Sequence, residues 1–461
     1  MSGPPPAIPA PALDGLRTLL GDRLALGPSQ RALHAGDESW LAPVEPAAVA
    51  FPETTEEVAG TLRLCARHAV PVTPCGARSG QEGGAIPAAG GLALSLARMT
   101  RILAVSTANM DCHVEAGVTR LALAAHLRQG GAMFPVDPGA DATLGGMAAT
   151  GAAGTTTPMY GRMADNVLGL QVVLADGRIV ETGARCRKSS AGYDLTRLFV
   201  GSEGTLGVIT RLRLRLHPEP EAVATLQGFL PEPAACVDLA VTLRQMGLPL
   251  ARAELCCAQM VRALNLRHGR GMPERPMLLL EFHGAGPAVA AARDAALALL
   301  TEAGATGIAE ASRTEERSAL WAMRHGAAEA ETLLRPGAAA IVTDTAVPLD
   351  DLAPLIAEAL ARVARDGLVA TLTGHLADGN VHFALLVDRA DAAELARAEG
   401  FKDWLSRRAL ALGGTISGEH GIGLGKRHLM AAQHGSALEV MRGIKLALDP
   451  AGLLNPGKLL P

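Results

Sequence analysis

PVDPGADATLGGMAATGAAGT, residues 135–155, spends five of its positions on glycine. Glycine reaches φ > 0 and carries no side chain, so such a run offers bare N–H groups that can turn inward around an anion such as a pyrophosphate. Two companions share this texture, PCGARSGQEGG (74–84) and GSEGTLGVIT (201–210). None is a GxGxxG following a strand, and no GxxxxGK[ST] occurs, so nicotinamide and P-loop readings lack their signature. Any one loop could be a set of tight turns. Three spaced through one domain favour a shared phosphate-bearing ligand.

Around these loops the chain reads as α+β. Thr54 can cap a helix, Glu57 completes a capping box, and Val58, Leu62 and Cys65 keep helical spacing. Short β-like runs follow in PVTPCG, LALSL (92–96), LQVVLADGRIVET (170–182) and LGVITRLRLRL (206–216), the last alternating Leu with Arg. LHPEPEA (216–222) reads as a linker. Beyond it, helical segments such as AACVDLAVTLRQ (234–245) and AVAAARDAALALLTEAG (288–304) alternate with strands such as MLLLEFHG (277–284). The tail reads as one or two helices, and residues 1–45 as a Pro/Ala-rich leader.

Composition removes several function classes. A chain of 461 residues suggests two or three domains with ample core. A net charge of −4 and 3% aromatics supply neither a basic field nor stacking platforms, so nucleic acid is not expected as a partner. Seven cysteines without a CxxC spacing fit reduced thiols. Charges interrupt every apolar stretch, and the start lacks the regions of a signal peptide. The expectation is a soluble, cytoplasmic protein, with peripheral attachment at the inner face of a membrane left open.

Chemistry concentrates near the C-terminus. GHLADGNVHF (374–383) sets two histidines around Asp-Gly. A two-residue turn at Asp378-Gly379 would oppose His375 to His382 directly, with Thr371, Thr373 and both histidines on one face and Leu372, Leu376, Val381, Phe383 and Leu385 on the other. SGEHGIGLGK (417–426) adds a carboxylate and a third imidazole. His375, His382 and Glu419 make a three-ligand set that leaves positions open for substrate and suits zinc, manganese or iron(II). A hydrogen-bonded histidine pair on a half-exposed sheet is the plainer alternative.

The three glycine-rich loops, followed in order by GHLADGNVH, SGEHGIG and LLNPGK, resemble the flavin-dependent D-2-hydroxy-acid dehydrogenases within the vanillyl-alcohol-oxidase type flavoproteins. The resemblance runs from about residue 46 to the C-terminus. It implies a two-subdomain PCMH-type FAD-binding domain (46–218), an α+β substrate or cap domain with an antiparallel sheet (219–413), and a C-terminal helical segment (414–461) returning to the flavin. FAD contacts fall on Pro74, Gly76, Ser79, Gly80, Pro138, Gly139, Thr143, Gly146, Ala149, Gly154, Thr155, Glu203, Gly204, Ile209 and Asn455. The family usually has Gly where this chain has Arg78. Relatives that attach flavin covalently use a histidine in the first loop; Pro74–Gly84 has none, so the FAD is expected to be noncovalent.

The same resemblance makes His375, His382 and Glu419 ligands of one divalent metal, His420 the base that takes the substrate hydroxyl proton as hydride leaves C2 for flavin N5, and Arg324 the cation on the C1 carboxylate. Relatives acting on 2-hydroxyglutarate carry a lysine and an asparagine for the distal carboxylate where this chain has Val342 and Ala384, so a monocarboxylate such as D-lactate is expected, oxidised to pyruvate. Glycolate and D-2-hydroxyglutarate are the alternatives within the family. A metal-dependent hydrolase and a noncatalytic flavin subunit are the alternatives outside it. No haem or ferredoxin motif occurs, so electrons must leave to an external acceptor such as cytochrome c, a quinone or an electron-transfer flavoprotein. A homodimer is compatible with the sequence.

Overall fold

The computed structural model describes residues 8–186, 188–311 and 313–461. The chain divides into two compact units: the first takes the segments up to Ala152, Arg162–Glu219 and Glu419–Pro461, the second Ala153–Gly161 and Pro220–Gly418.

In the first unit the leader is not loose chain. Helix α1 (Ala10–Leu20) buries Ala12, Leu16 and Leu20 and packs on α2 (Thr55–Arg67), which Thr54 caps by accepting from Glu57 N. The helices approach at two glycines: a Cβ on Gly15 would lie 2.8 Å from Leu64, and one on Gly60 2.9 Å from Leu19. The proline-rich composition before residue 10 masked this apolar face. Strands β1 (Leu24–Ala25), β2 (Ala48–Ala50), β3 (Val72–Cys75) and β4 (Leu92–Ser95) form a sheet ordered β1-β2-β4-β3. A second sheet joins β5 (Ile102–Ser106), β6 (Asp111–Glu115), β7 (Val167–Val173), β8 (Ile179–Gly183) and β9 (Val208–Arg215) in the order β5-β6-β9-β7-β8. The run 170–182, read as a single β segment, is the β7–β8 hairpin. The Leu/Arg alternation of β9 behaves as its period dictates: Leu212 and Leu214 are buried and Arg211, Arg213 and Arg215 half-buried. One apolar core joins both sheets to α1, α2 and the C-terminal Leu453 and Leu454.

The second unit is built on an antiparallel sheet. Strands β10 (Ala222–Phe229), β11 (Leu250–Cys256), β12 (Met277–Gly284), β13 (Thr306–Ala311), β14 (Ala339–Val342), β15 (Thr345–Ala346), β16 (Val369–His375) and β17 (Asn380–Val387) run in the order β13-β10-β12-β11-β16-β17-β14, with β15 also on β17. Helices at Pro233–Gln245 (α3), Gly286–Glu302 (α4), Leu349–Arg365 (α5) and Ala392–Ala411 (α6) supply its apolar cover. The helical stretch around Arg324 breaks at Gly326 into Thr314–His325 and Ala327–Glu331. The architecture is the α+β mixture read from the sequence. Among the described residues no helix is long and apolar enough to cross a membrane.

Candidate active site

The glycine-rich loops of the first unit meet one another. Beyond β3, a side chain on Gly76 would put its Cβ 2.0 Å from Thr143 Oγ1, so only glycine lets the first loop lie against the second. Thr143 caps the helix Leu144–Thr150, accepting from Gly146 N at 3.3 Å, and Ala149 O accepts from Glu203 N at 2.8 Å, tying the second loop to the third. Gly204, at φ +71°, would place a Cβ 2.9 Å from Pro74. Pro138, Ser79 and Gly80 are half-buried, Gly139 is exposed, and Ile209 is buried in β9. In the second unit, Gly154 N donates to Thr157 Oγ1 at 3.1 Å, beside buried Thr155. A cradle of bare backbone closed at glycines fits a pyrophosphate-bearing cofactor.

Arg78 sits at φ +61°, the left-handed region, which explains why glycine is usual there; its charge faces His34 and Cys75. Asn455, also left-handed at φ +42°, donates from Nδ2 to Gly84 O at 3.0 Å and Glu203 O at 2.7 Å, pinning the C-terminal segment to the first and third loops. The Glu203 carboxylate holds the loop that carries His420: Oε1 accepts from Ile422 N at 2.7 Å and Oε2 from Gly423 N at 2.8 Å. Burial pushes this carboxyl up to about 7, against the pull of those two N–H groups.

In the second unit the hairpin differs from the two-residue turn expected. Leu376–Asp378 coil into a single 3-10 turn and Gly379 closes it at φ +73°, so His375 pairs with Asn380 and Thr373 with His382. The histidines are therefore diagonal neighbours rather than directly opposed. Leu376 leaves the apolar ladder for the turn, yet Thr371, Thr373, His375 and His382 keep one face, because cross-strand partners share a face. The rings lie 5.3 Å apart, centroid to centroid, at 78°.

Each imidazole is anchored at Nδ1. His382 Nδ1 lies 3.2 Å from Thr343 O, and His375 Nδ1 2.6 Å from Glu254 Oε1. Both partners are acceptors, so Nδ1 carries the proton in each ring and Nε2 is left as the ligand nitrogen. The loop after α6 is fastened to the same sheet: Thr415 bridges Ala346, and Ser417 Oγ donates to Asp344 Oδ2 at 2.8 Å. Gly418 lies against Asn380, where a Cβ would be 2.5 Å from Nδ2. Glu419 is the residue bonded to that glycine, and one ligand atom from each of His375, His382 and Glu419 lies within 4.8 Å of the others. Two Nε2-presenting imidazoles and a carboxylate at that spacing fit a divalent metal.

Arg324 ends its helix buried, with NH2 2.8 Å from Glu254 Oε2. Val342 and Ala384 are directly paired between β14 and β17, on the face that carries His382. Sequence reasoning missed Glu254 and a second carboxylate, Glu281. Register gathers them: Glu254 opposes His375, and Glu281 opposes both Thr225 and Arg252. Glu281 accepts from Thr225 Oγ1 at 2.6 Å and Trp321 Nε1 at 2.5 Å, meets Arg252 at 3.0 Å and His283 Nε2 at 2.8 Å, and Tyr160 Oη lies 2.8 Å from His283 Nδ1. Burial would raise the Glu281 carboxyl, but the His283 hydrogen bond and the Arg252 charge hold it down to about 2. Apart from EFHG ending a strand, no local pattern marks these residues, because strand pairing rather than spacing unites them.

Two family descriptions match the chain: "FAD binding domain" over residues 46–183 and "FAD linked oxidases, C-terminal domain" over 219–459. It is 42% identical over 453 residues to "Probable D-lactate dehydrogenase, mitochondrial" of Danio rerio, covering 97% of this chain and 91% of the relative. It is 35% identical to "D-lactate dehydrogenase [cytochrome], mitochondrial" of Arabidopsis thaliana, covering 98% and 81%. Among solved structures, the 4-ethylphenol oxidase of Gulosibacter chungangensis superposes with a TM-score of 0.81 over 99% of both chains at 19% identity, a likeness of fold. These matches leave the hydrolase reading without support: the chain belongs to the FAD-linked oxidases, among the relatives named D-lactate dehydrogenase, and is a flavin-dependent oxidoreductase.

Proposed function

We propose that this oxidoreductase converts a short (R)-2-hydroxy acid, D-lactate first, into its 2-oxo acid, using a divalent metal beside the flavin. The observation that carries the proposal is the histidine pair of β16 and β17, each ring anchored through Nδ1 and presenting Nε2, with Glu419 following Gly418.

Bound FAD supplies the acceptor for the C2 hydride, and a bound metal ion acidifies the substrate 2-hydroxyl. His375, His382 and Glu419 would hold the ion, and the glycine-rich loops with Asn455 would hold the FAD noncovalently. His420 takes the hydroxyl proton, a task suited to a neutral imidazole. Arg324 holds the C1 carboxylate. A guanidinium has several donors, so spending one on Glu254 leaves others for substrate while fixing the plane of the fork. The Danio and Arabidopsis relatives are named for D-lactate, which supports the substrate assigned here.

Chain length is argued from Val342 and Ala384. A distal carboxylate brought against this apolar pair would lose water without gaining a partner. A methyl group suffers no such loss. Electrons then leave to an external acceptor, for which cytochrome c, a quinone or an electron-transfer flavoprotein are the chemical choices. Arg324→Lys tests the carboxylate contact: loss of the fixed fork should raise KM for D-lactate by about 10- to 100-fold, the worth of a charge-assisted hydrogen bond. An unchanged KM would remove Arg324 from substrate binding.

A further inference from the structure

Glu254 connects two residues of the proposed site, His375 and Arg324. Its side chain is fully buried on β11, opposite His375 in the register of β11 and β16. One carboxylate oxygen accepts a hydrogen bond from His375 Nδ1 at 2.6 Å, and the other meets Arg324 NH2 at 2.8 Å. The three groups form a chain, Arg324 to Glu254 to His375, lying wholly in the second unit.

A buried carboxylate is costly to desolvate, and an apolar pair of similar volume would commonly stabilise a core as well as a buried ion pair does. What an apolar pair cannot do is fix an imidazole. An acceptor at Nδ1 permits only the tautomer protonated there, sets the rotation of the ring about χ2, and raises the basicity of Nε2. His382 receives a weaker version of the same treatment: its Nδ1 is hydrogen-bonded to the neutral Thr343 carbonyl at 3.2 Å, and the Asp344 carboxylate stands beyond hydrogen-bond reach at 3.8 Å.

We infer that Glu254 is a positioning residue that makes His375 Nε2 the stronger metal ligand and locks that ligand to the arginine holding the substrate carboxylate. Metal and carboxylate then share one rigid frame, which fixes the distance between the two ends of the hydroxy-acid group. The inference rests on the metal reading above, and its test separates the two.

Metal-free wild-type protein with its FAD retained is titrated calorimetrically with Zn2+ and, separately, Mn2+, beside Glu254→Gln. The glutamine keeps an acceptor for Nδ1 but loses the charge shared with Arg324. Binding should weaken about 10- to 100-fold in the variant while flavin absorbance is unchanged. Equal binding, within twofold, by a folded variant overturns the role of Glu254 and leaves the metal reading standing. Wild-type protein that binds neither ion overturns both.

Because Glu254→Gln removes the buried ion pair with Arg324 and can unfold, a second measurement uses wild-type protein alone. Imidazole 15N spectra should show His375 protonated at Nδ1, with a strongly hydrogen-bonded proton at low field. Protonation at Nε2 overturns the assignment.

Discussion

At the residue scale, buried carboxylates carry much of the account, and their surroundings set them to different tasks. Glu281, surrounded by donors, stays charged; Glu203, buried against two N–H groups, is pushed up to about 7. A carboxyl whose folded pKa lies above its unfolded value near 4.5 binds a proton in the folded state that the unfolded chain has released. Its stabilisation is therefore complete below about pH 4.5 and lost as pH rises to about 7. The stability of wild-type protein relative to Glu203→Gln should fall across that window by on the order of 3 kcal/mol and then stay level, read by denaturant melts at half-unit pH steps. A flat difference would place the Glu203 pKa near its ordinary value. Arg78→Gly should stabilise the fold by about 1 kcal/mol, because glycine takes φ +61° without penalty. Destabilisation would mean that the arginine contributes more than its backbone costs. The glycine expected at this position was legible as a departure from the family pattern; the positive φ behind it was not.

At the element scale, periodicity served where one face is buried and failed where a turn had to be counted. Alternation along 371–385 correctly grouped both histidines, because the observed register differs from the expected one by two residues, a slip that keeps the faces where a one-residue slip would have flipped them. The register itself was misjudged: Asp378-Gly379 looks like a two-residue turn, but Leu376 joins the turn and lengthens the loop to four residues. Gly379 is the element's weak point, since a Cβ there would sit 2.1 Å from Val347 O as well as demand a left-handed backbone. Gly379→Ala should cost about 2–3 kcal/mol in a thermal melt and weaken metal retention on dialysis; a neutral substitution would contradict the turn described. The α1 helix shows the opposite failure, an amphipathic face hidden by a proline-rich approach. Leu16 is fully buried, so Leu16→Ala should destabilise by about 2–5 kcal/mol, and a loss under 1 kcal/mol would mean that the helix is not part of the core.

At the scale of the whole molecule, the ordered motifs of the sequence identified the flavin family and the three candidate ligands. What they could not reveal was Glu254 behind His375 or the Glu281–Arg252 cluster, because these residues are recruited through strand pairing across residues distant in sequence. The proposed specificity belongs to this scale as well, since Val342 and Ala384 come from different strands and pair as one apolar patch. Val342→Lys combined with Ala384→Asn should lower kcat/KM for D-lactate and raise it for D-2-hydroxyglutarate, moving the ratio by at least 100-fold, about 2.8 kcal/mol. The central claim, a flavin-dependent oxidation selective for a short (R)-2-hydroxy acid, is tested most directly by mixing the oxidised protein anaerobically with matched acids and following flavin absorbance. Rapid bleaching by D-lactate, with little by L-lactate and D-2-hydroxyglutarate, is the predicted result; bleaching by D-2-hydroxyglutarate in preference to D-lactate, or by neither, would contradict it.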